Sequence, residues 1–285
     1  MLTNPEINPS IYLPGSSLST NQRRLYPGYS NIVIERPSGS SHYHSLQASL
    51  QQRVTNGLSV LANYTFSKSL DDIPYNTGAT GFSVSQSYVY PVTQPNFKSL
   101  DIGPSAFDRQ SVFSASYLWT FPRLERGNKV LRSVVNGWQT TGILQAQSGA
   151  PLTITAGADI SQTGLLQDRA QHGGLPAYGP GACKAGSACV NYLNPASFSL
   201  PAIGTFGNVV KGSFRGPGYF DWDSGLIRNF AIRETARLEF RAEYFNLLNH
   251  TNLGSPVTTV SSGGFGSIVS ASDPRIAQLA LKLAF

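Results

Sequence analysis

Across residues 43–54 apolar and polar positions alternate with a period of two: Leu46, Ala48 and Leu50 fall on one side, Ser45, Gln47, Ser49 and Gln51 on the other. That period belongs to an extended strand with one dry and one wet face. The alternation resumes after Thr55-Asn56-Gly57, with Leu58, Val60, Ala62, Tyr64 and Phe66 set against Ser59, Asn63, Thr65 and Ser67, so the two segments form a hairpin. Cross-strand partners share a face, and both apolar rows occupy even numbers. Val54 is therefore expected opposite Leu58, leaving a three-residue loop with Gly57 in the left-handed conformation and excluding a two-residue Asn-Gly turn.

Five further segments follow the same rule. Phe113, Ala115, Tyr117, Trp119 and Phe121 alternate with Ser114, Ser116, Leu118 and Thr120, and Pro122 ends that strand. Trp138, Thr140, Gly142, Leu144 and Ala146 alternate with Gln139, Thr141, Gln145 and Gln147; a bend at residues 148–151 is expected before the strand continues through Leu152, Ile154 and Ala156. Phe220, Trp222, Leu226, Phe230 and Ile232 oppose Asp221, Asp223, Gly225 and Asn229, with Arg228 interrupting the apolar row. Ala236, Leu238, Phe240, Ala242 and Tyr244 are backed by four alternating charges, Arg237, Glu239, Arg241 and Glu243. The chain closes on Ala277, Leu279, Leu281, Leu283 and Phe285, opposite Gln278, Ala280, Lys282 and Ala284.

Seven strands with a single apolar face would also suit a soluble β-sandwich. The connections separate the two. Short turns near 55–57, 122–135 and 233–235 alternate with long loops at 68–107, 157–218 and 249–274, which is the asymmetry of an outer-membrane barrel with short periplasmic turns and long extracellular loops. Under that topology the last strand runs towards the periplasm. Trp119, Phe121, Trp138, Phe230 and Phe285 then gather at the periplasmic edge, and Tyr64, Phe66, Phe113, Phe220, Trp222 and Tyr244 at the outer edge, as interfacial aromatics should. Arg228 lies close enough to the periplasmic interface to snorkel. The fold class expected is all-β, an antiparallel transmembrane β-barrel portion with long extracellular loops.

Composition changes this picture little. With 13% charged residues, 28 glycines, 18 prolines and one methionine, the chain suits many short strands better than helices. No run approaches the roughly 18 apolar residues of a membrane-spanning helix, whereas transmembrane strands need only alternation. The net charge of +6 is scattered, with no basic run longer than Arg23-Arg24, so nucleic acid is not an expected partner. Met1-Leu2-Thr3-Asn4-Pro5 has neither a charged n-region nor an apolar h-region, so no export signal is expected in the chain as written. Cys183 and Cys189 share one Gly/Ala/Ser loop and are expected to form a local disulfide in an oxidising compartment, with two reduced thiols the alternative. His42, His44, His172 and His250 are dispersed, so neither an enzyme nor a metal site nor a cofactor is expected. Asp71-Asp72 and Asp101 read as solvated loop carboxylates, with calcium ligation the alternative. Asp221 and Asp223, with the row Arg237, Glu239, Arg241 and Glu243, are candidate lumen-lining charges; an ion-pair lattice holding the strands in register is preferred over a ligand path.

Several segments carry a family resemblance: Tyr43-His-Ser-Leu-Gln-Ala-Ser-Leu-Gln-Gln-Arg53, Asn63-Tyr-Thr-Phe-Ser-Lys-Ser-Leu70, Gly137-Trp-Gln139, Ser148-Gly-Ala-Pro-Leu-Thr153, Phe245-Asn-Leu-Leu-Asn-His-Thr-Asn252 and Pro274-Arg-Ile-Ala-Gln-Leu-Ala-Leu-Lys-Leu-Ala-Phe285. In this order, over residues 10–285, they resemble the C-terminal barrel region of TonB-dependent receptors of the Oar-like type, whose longer members begin with a carboxypeptidase-regulatory-like domain. The resemblance implies a 22-stranded barrel with an internal plug, energised through TonB and importing an unidentified ligand across the outer membrane. Seven strands are too few for that diameter, and no plug-like segment is present. Residues 1–42 are accordingly expected to be a loop and strand remnant, residues 43–285 seven strands, and the chain a C-terminal portion that reaches the outer membrane within a longer precursor. The resemblance also makes Phe285 a barrel-insertion signal. Expected partners are outer-membrane lipid, the barrel assembly machinery, and TonB only through the missing N-terminal region. The alternative is a structural or adhesive outer-membrane barrel without transport.

Overall fold

The alternating segments become seven long strands of one antiparallel sheet: β1 (Ser41–Thr55), β2 (Leu58–Asp71), β3 (Ser111–Thr120), β4 (Trp138–Gln147), β5 (Tyr219–Ala231), β6 (Arg237–Phe245) and β7 (Ile276–Ala284). Their order in the sheet is their order in the chain. The computed structural model describes residues 5–34, 36–72, 90–165, 168–181, 190–232 and 236–285. Among these, no helix is long and apolar enough to cross a membrane.

Register keeps the two faces separate across the whole sheet. Leu50 stands opposite Ala62, Ala62 opposite Ala115, Ala115 opposite Leu144 and Leu144 opposite Trp222. Further along, Leu226, Ala242 and Leu279 continue the apolar row. The reverse face pairs Asn63 with Ser114, Ser114 with Gln145 and Gln145 with Asp221. The apolar face is uncovered: Leu46, Leu279 and Leu281 are each 69% exposed. In water such a contiguous surface would drive association, and in a hydrocarbon phase it is the favoured outer surface.

The first hairpin departs from the expected register. Thr55, not Val54, pairs with Leu58, and the loop is the two-residue turn Asn56-Gly57, with φ of 50° and 81° as a type I′ turn requires. The parity argument assumed an unbroken ladder. A β-bulge between Gln52 and Thr55 adds one residue to β1, so the faces stay aligned above the bulge while the turn tightens below it. A second glycine has a packing cause. A Cβ on Gly142 would lie 2.4 Å from the Tyr117 ring, which crosses β4 to bring its hydroxyl 3.1 Å from Ser224 Oγ on β5.

The connections sort by end. Among the described residues, Asn56-Gly57, the segment 121–137, and Ile232 and Ala236 lie at one end of the sheet. The described residues 5–34, 36–40, 72, 90–110, 148–165, 168–181, 190–218 and 246–275 lie at the other. The middle short-end connection contains a helix, α1 (Lys129–Val135), rather than a bare turn. At the opposite end the long loops fold on themselves. The expected continuation of β4 does not occur: the strand stops at Gln147, Pro151–Leu152 pairs with Phe214–Arg215, and Ile154 and Ala156 are fully buried. Alternation in residues 152–156 therefore reflects burial in a second body. Its core is Ile154, Ala170, Leu193, Phe198, Val209 and Phe265. Phe198 packs edge-on against Phe214 and Phe265, with centroids 5.2 and 5.6 Å away. Extended residues around Thr155 knit the loops together: Ala170 N–H donates to the Ile154 carbonyl at 3.0 Å and Val260 N–H to the Thr155 carbonyl at 2.9 Å. We call this loop-built body the cap.

Candidate functional site

Two features of the molecule are built beyond what a barrel wall requires: the cap and the polar face of the sheet. The cap is fastened to the strand tips by buried ion pairs. Lys211 Nζ bonds Asp71 at the end of β2, and Arg169 bonds Asp101. Arg215 reaches Asp108 at 2.5 Å, while Asp108 also accepts Ser69 N–H at 2.7 Å. Asp72 accepts Ser40 N–H at 2.7 Å, closing the entrance to β1. Asp71, Asp72 and Asp101 are thus neither solvated carboxylates nor a calcium cluster. Each is buried and bonded within the protein, which corrects both readings of the sequence.

The N-terminal segment joins the same body. Ser10 N–H donates to the Thr163 carbonyl at 2.7 Å, and Arg24, held 3.8 Å from Glu6, sits beside Gly164. Next to it, buried Asp168 accepts Ser161 N–H at 2.6 Å and Ser161 Oγ–H at 3.0 Å. Burial pushes the Asp168 carboxyl up to about 6; the bonds from Ser161 counteract it, and the nearby charge of Asp159 adds to it.

Polar side chains also finish the top of the sheet. Asn252 accepts Phe220 N–H at 2.9 Å and donates to the Phe220 carbonyl at 2.8 Å, replacing a strand partner where β6 has already turned away. Asn246, with φ of 51°, accepts His250 N–H at 2.8 Å. These bonds explain the asparagines of the segment 245–252 without recourse to ligand chemistry.

On the polar face a groove of about 480 Å³ crosses β2 to β6 and includes Ser59, Ser116, Thr141, Asp223 and Glu243 in its lining. All six candidate lumen charges lie on this face by register, with Asp221 opposite Gln145, Asp223 opposite Ile143, Arg237 opposite Ala231 and Ala284 at the strand end, Glu239 opposite Asn229 and Lys282, Arg241 opposite Ile227 and Glu243 opposite Gly225. Arg241 bonds Glu239 at 3.0 Å and Glu243 at 3.4 Å, so both ion pairs run along β6. They fix the side chains of one strand; the expected cross-strand lattice is not their arrangement. Asp223 has a structural task as well, accepting Asn246 N–H at 3.0 Å, and Asp221 accepts the Tyr219 hydroxyl at 3.3 Å.

Phe285 follows β7 and is 96% exposed. Cys183 and Cys189 lie outside the described residues. Arg228 differs from expectation: it is buried rather than snorkelled, its guanidinium bonding the carbonyls of Ser133 and Val134 at the C-terminal end of α1 and lying over Trp138 and Phe230. Sequence reasoning also passed over Asp108, Arg169, Lys211 and Arg215. Their signal was faint: a charge beside apolar or glycine neighbours, as in Val209-Val210-Lys211-Gly212, within a chain only 13% charged.

An antiparallel meander with one uncovered apolar face, a polar reverse and loops of sorted length is the wall of a membrane β-barrel. The chain matches, over residues 1–278, the family model described as outer membrane beta barrel domain, and it belongs to that family. Its place is the bacterial outer membrane. A comparison with curated proteins finds no match.

Proposed function

We propose that the chain is the C-terminal part of a TonB-dependent receptor barrel of the Oar-like type, and that the cap forms part of the surface that captures the ligand before uptake. The observation that carries this reading is the cap itself. Loops that only join strands need no core and no buried ion pairs, whereas a receptor needs a pre-organised outer surface. The orientation follows from connection length, with the cap outside and α1 on the periplasmic side.

The open sheet supports a larger barrel. Among the described residues β1 and β7 each have one unpaired edge, and an open edge is not tolerated in hydrocarbon. Both edge strands run from the cap towards the turn end, so antiparallel closure takes an odd number of further strands. A 22-stranded transporter barrel would supply fifteen.

The test uses the full-length gene in cells with and without functional TonB, supplied with metal chelates, vitamins or oligosaccharides too large for porins. Uptake that requires TonB and falls when Asp101→Asn loosens the cap is the expected result. Growth and uptake indifferent to the gene, or uptake independent of TonB, would overturn it in favour of a structural or adhesive barrel.

A further inference from the structure

The segment between β3 and β4 is more elaborate than a periplasmic turn requires. Asn128 caps α1, its side chain accepting Leu131 N–H at 2.7 Å. At the other end, the Arg228 guanidinium meets the carbonyls of Ser133 and Val134, the correct charge for a helix C-terminus. The Trp138 indole N–H donates to the same Val134 carbonyl at 2.9 Å. Asn136 braces the preceding loop through both backbone groups of Leu124, at 2.6 and 3.1 Å. Trp138 and Arg228 face each other in register and belong to the apolar side of the sheet. The helix is therefore docked at the lipid-facing surface, at the lower rim.

Its own side chains divide cleanly. At about 100° per residue, Val130, Leu131, Val134 and Val135 occupy one arc, and Lys129, Arg132 and Ser133 the other. All four apolar residues are exposed, Val130 to 71% and Val134 to 57%. Residues 121–137 hold four basic groups, Arg123, Arg126, Lys129 and Arg132, against the single acid Glu125. An exposed apolar arc continuous with a lipid-facing wall and flanked by cations matches one phase, the headgroup region of a phospholipid leaflet.

We propose that α1 is an interfacial anchor that seats its valines and Leu131 in the periplasmic leaflet and binds anionic phospholipid headgroups through Lys129, Arg132 and the arginines before them. Placement in that leaflet rests on the orientation given above. Each basic group near an anionic surface strengthens binding about fivefold, so Lys129→Gln with Arg132→Gln should weaken selection of anionic lipid by up to about 25-fold.

The full-length protein, with Cys183→Ser and Cys189→Ser, is reconstituted into vesicles of phosphatidylethanolamine with or without phosphatidylglycerol. Spin labels are placed singly through Val134→Cys, Lys129→Cys and Leu281→Cys, and collision with oxygen is compared with collision with a water-soluble nickel complex. The expected result is an oxygen-rich environment at residues 134 and 281 and a nickel-rich one at 129, with the label at 129 less mobile when phosphatidylglycerol is present. Preferential retention of phosphatidylglycerol during detergent extraction should fall in the double glutamine variant. A water-exposed label at 134 beside a lipid-exposed one at 281 overturns the anchor and leaves the barrel standing. Water exposure at 281 as well overturns the barrel reading itself. Lipid exposure at 134 with no response to phosphatidylglycerol rejects the headgroup recognition.

Discussion

Gly57 shows how much one residue contributes to this sheet. Its φ of 81° is outside the range that residues with a Cβ adopt readily, and a Cβ there would lie 2.4 Å from the Thr120 carbonyl oxygen. Gly57→Ala should cost at least about 1–2 kcal/mol from backbone conformation alone, read as a lower urea midpoint in vesicles; an unchanged midpoint would show that the turn can relax. Asp168 gives a pH dependence. Its carboxyl is pushed up to about 6 in the fold, against 3.8 for an unperturbed group, so the folded cap binds this proton more tightly than the unfolded chain. The associated stability is fully present below about pH 4, is lost as pH rises through about 6, and amounts to at most about 3 kcal/mol. Hydrogen-exchange protection around Ser161 should therefore be greater at pH 5 than at pH 7.5. Asp168→Asn, which can still accept from Ser161, should remove that difference, and a difference that persists in the variant would assign it to another group.

At the scale of elements, strands and cap obey different rules. Strand faces were legible because a period of two is local: Leu279, Leu281 and Leu283 declare their side without reference to any other segment, and the structure keeps them on one face with Leu226 and Ala242. The bulge beside Asn56-Gly57 was not legible, since one inserted residue changes the pairing without changing the pattern. The cap was less legible still. Asp71 finds Lys211 across 140 positions and Asp101 finds Arg169 across 68, and nothing in either neighbourhood names its partner. Alternation at Leu152, Ile154 and Ala156 even pointed to the wrong body, because burial on one side looks alike in a sheet and in a packed loop. Removing one member of a buried pair leaves the other charge uncompensated, at about 3–5 kcal/mol. Asp101→Asn should loosen the cap by that order, measured as faster proteolysis of residues 148–218 in intact membranes. Asp101→Leu with Arg169→Met should recover most of the loss, since an apolar pair has no charge to bury. If the double variant were as labile as the single one, the ion pair would have to be positioning the loops rather than merely being buried with them.

For the whole molecule the decisive property is that its two stabilising environments are at opposite ends of polarity. The cap is held as a water-soluble protein is, by an aromatic and aliphatic core with ion pairs at its base. The sheet has no such core and gains its stability when Leu46, Leu50, Leu279 and Leu281 leave water for lipid. The polar groups of the reverse face need the opposite, so substitutions on alternate residues of one strand should have unequal effects. Leu281 lies opposite Phe240 on the apolar side, and Gln278 lies opposite Glu243 on the polar side. Leu281→Lys should destabilise the inserted protein by about 2–4 kcal/mol, as a cation near the middle of the bilayer does. Gln278→Lys, gaining an acidic neighbour, should stay within about 0.5 kcal/mol of the parent. Urea titration in vesicles, read by the mobility of unheated against heated samples, measures both. Equal losses would mean that the two faces of β7 see the same medium, and the assignment of lipid to one side and lumen to the other could not stand.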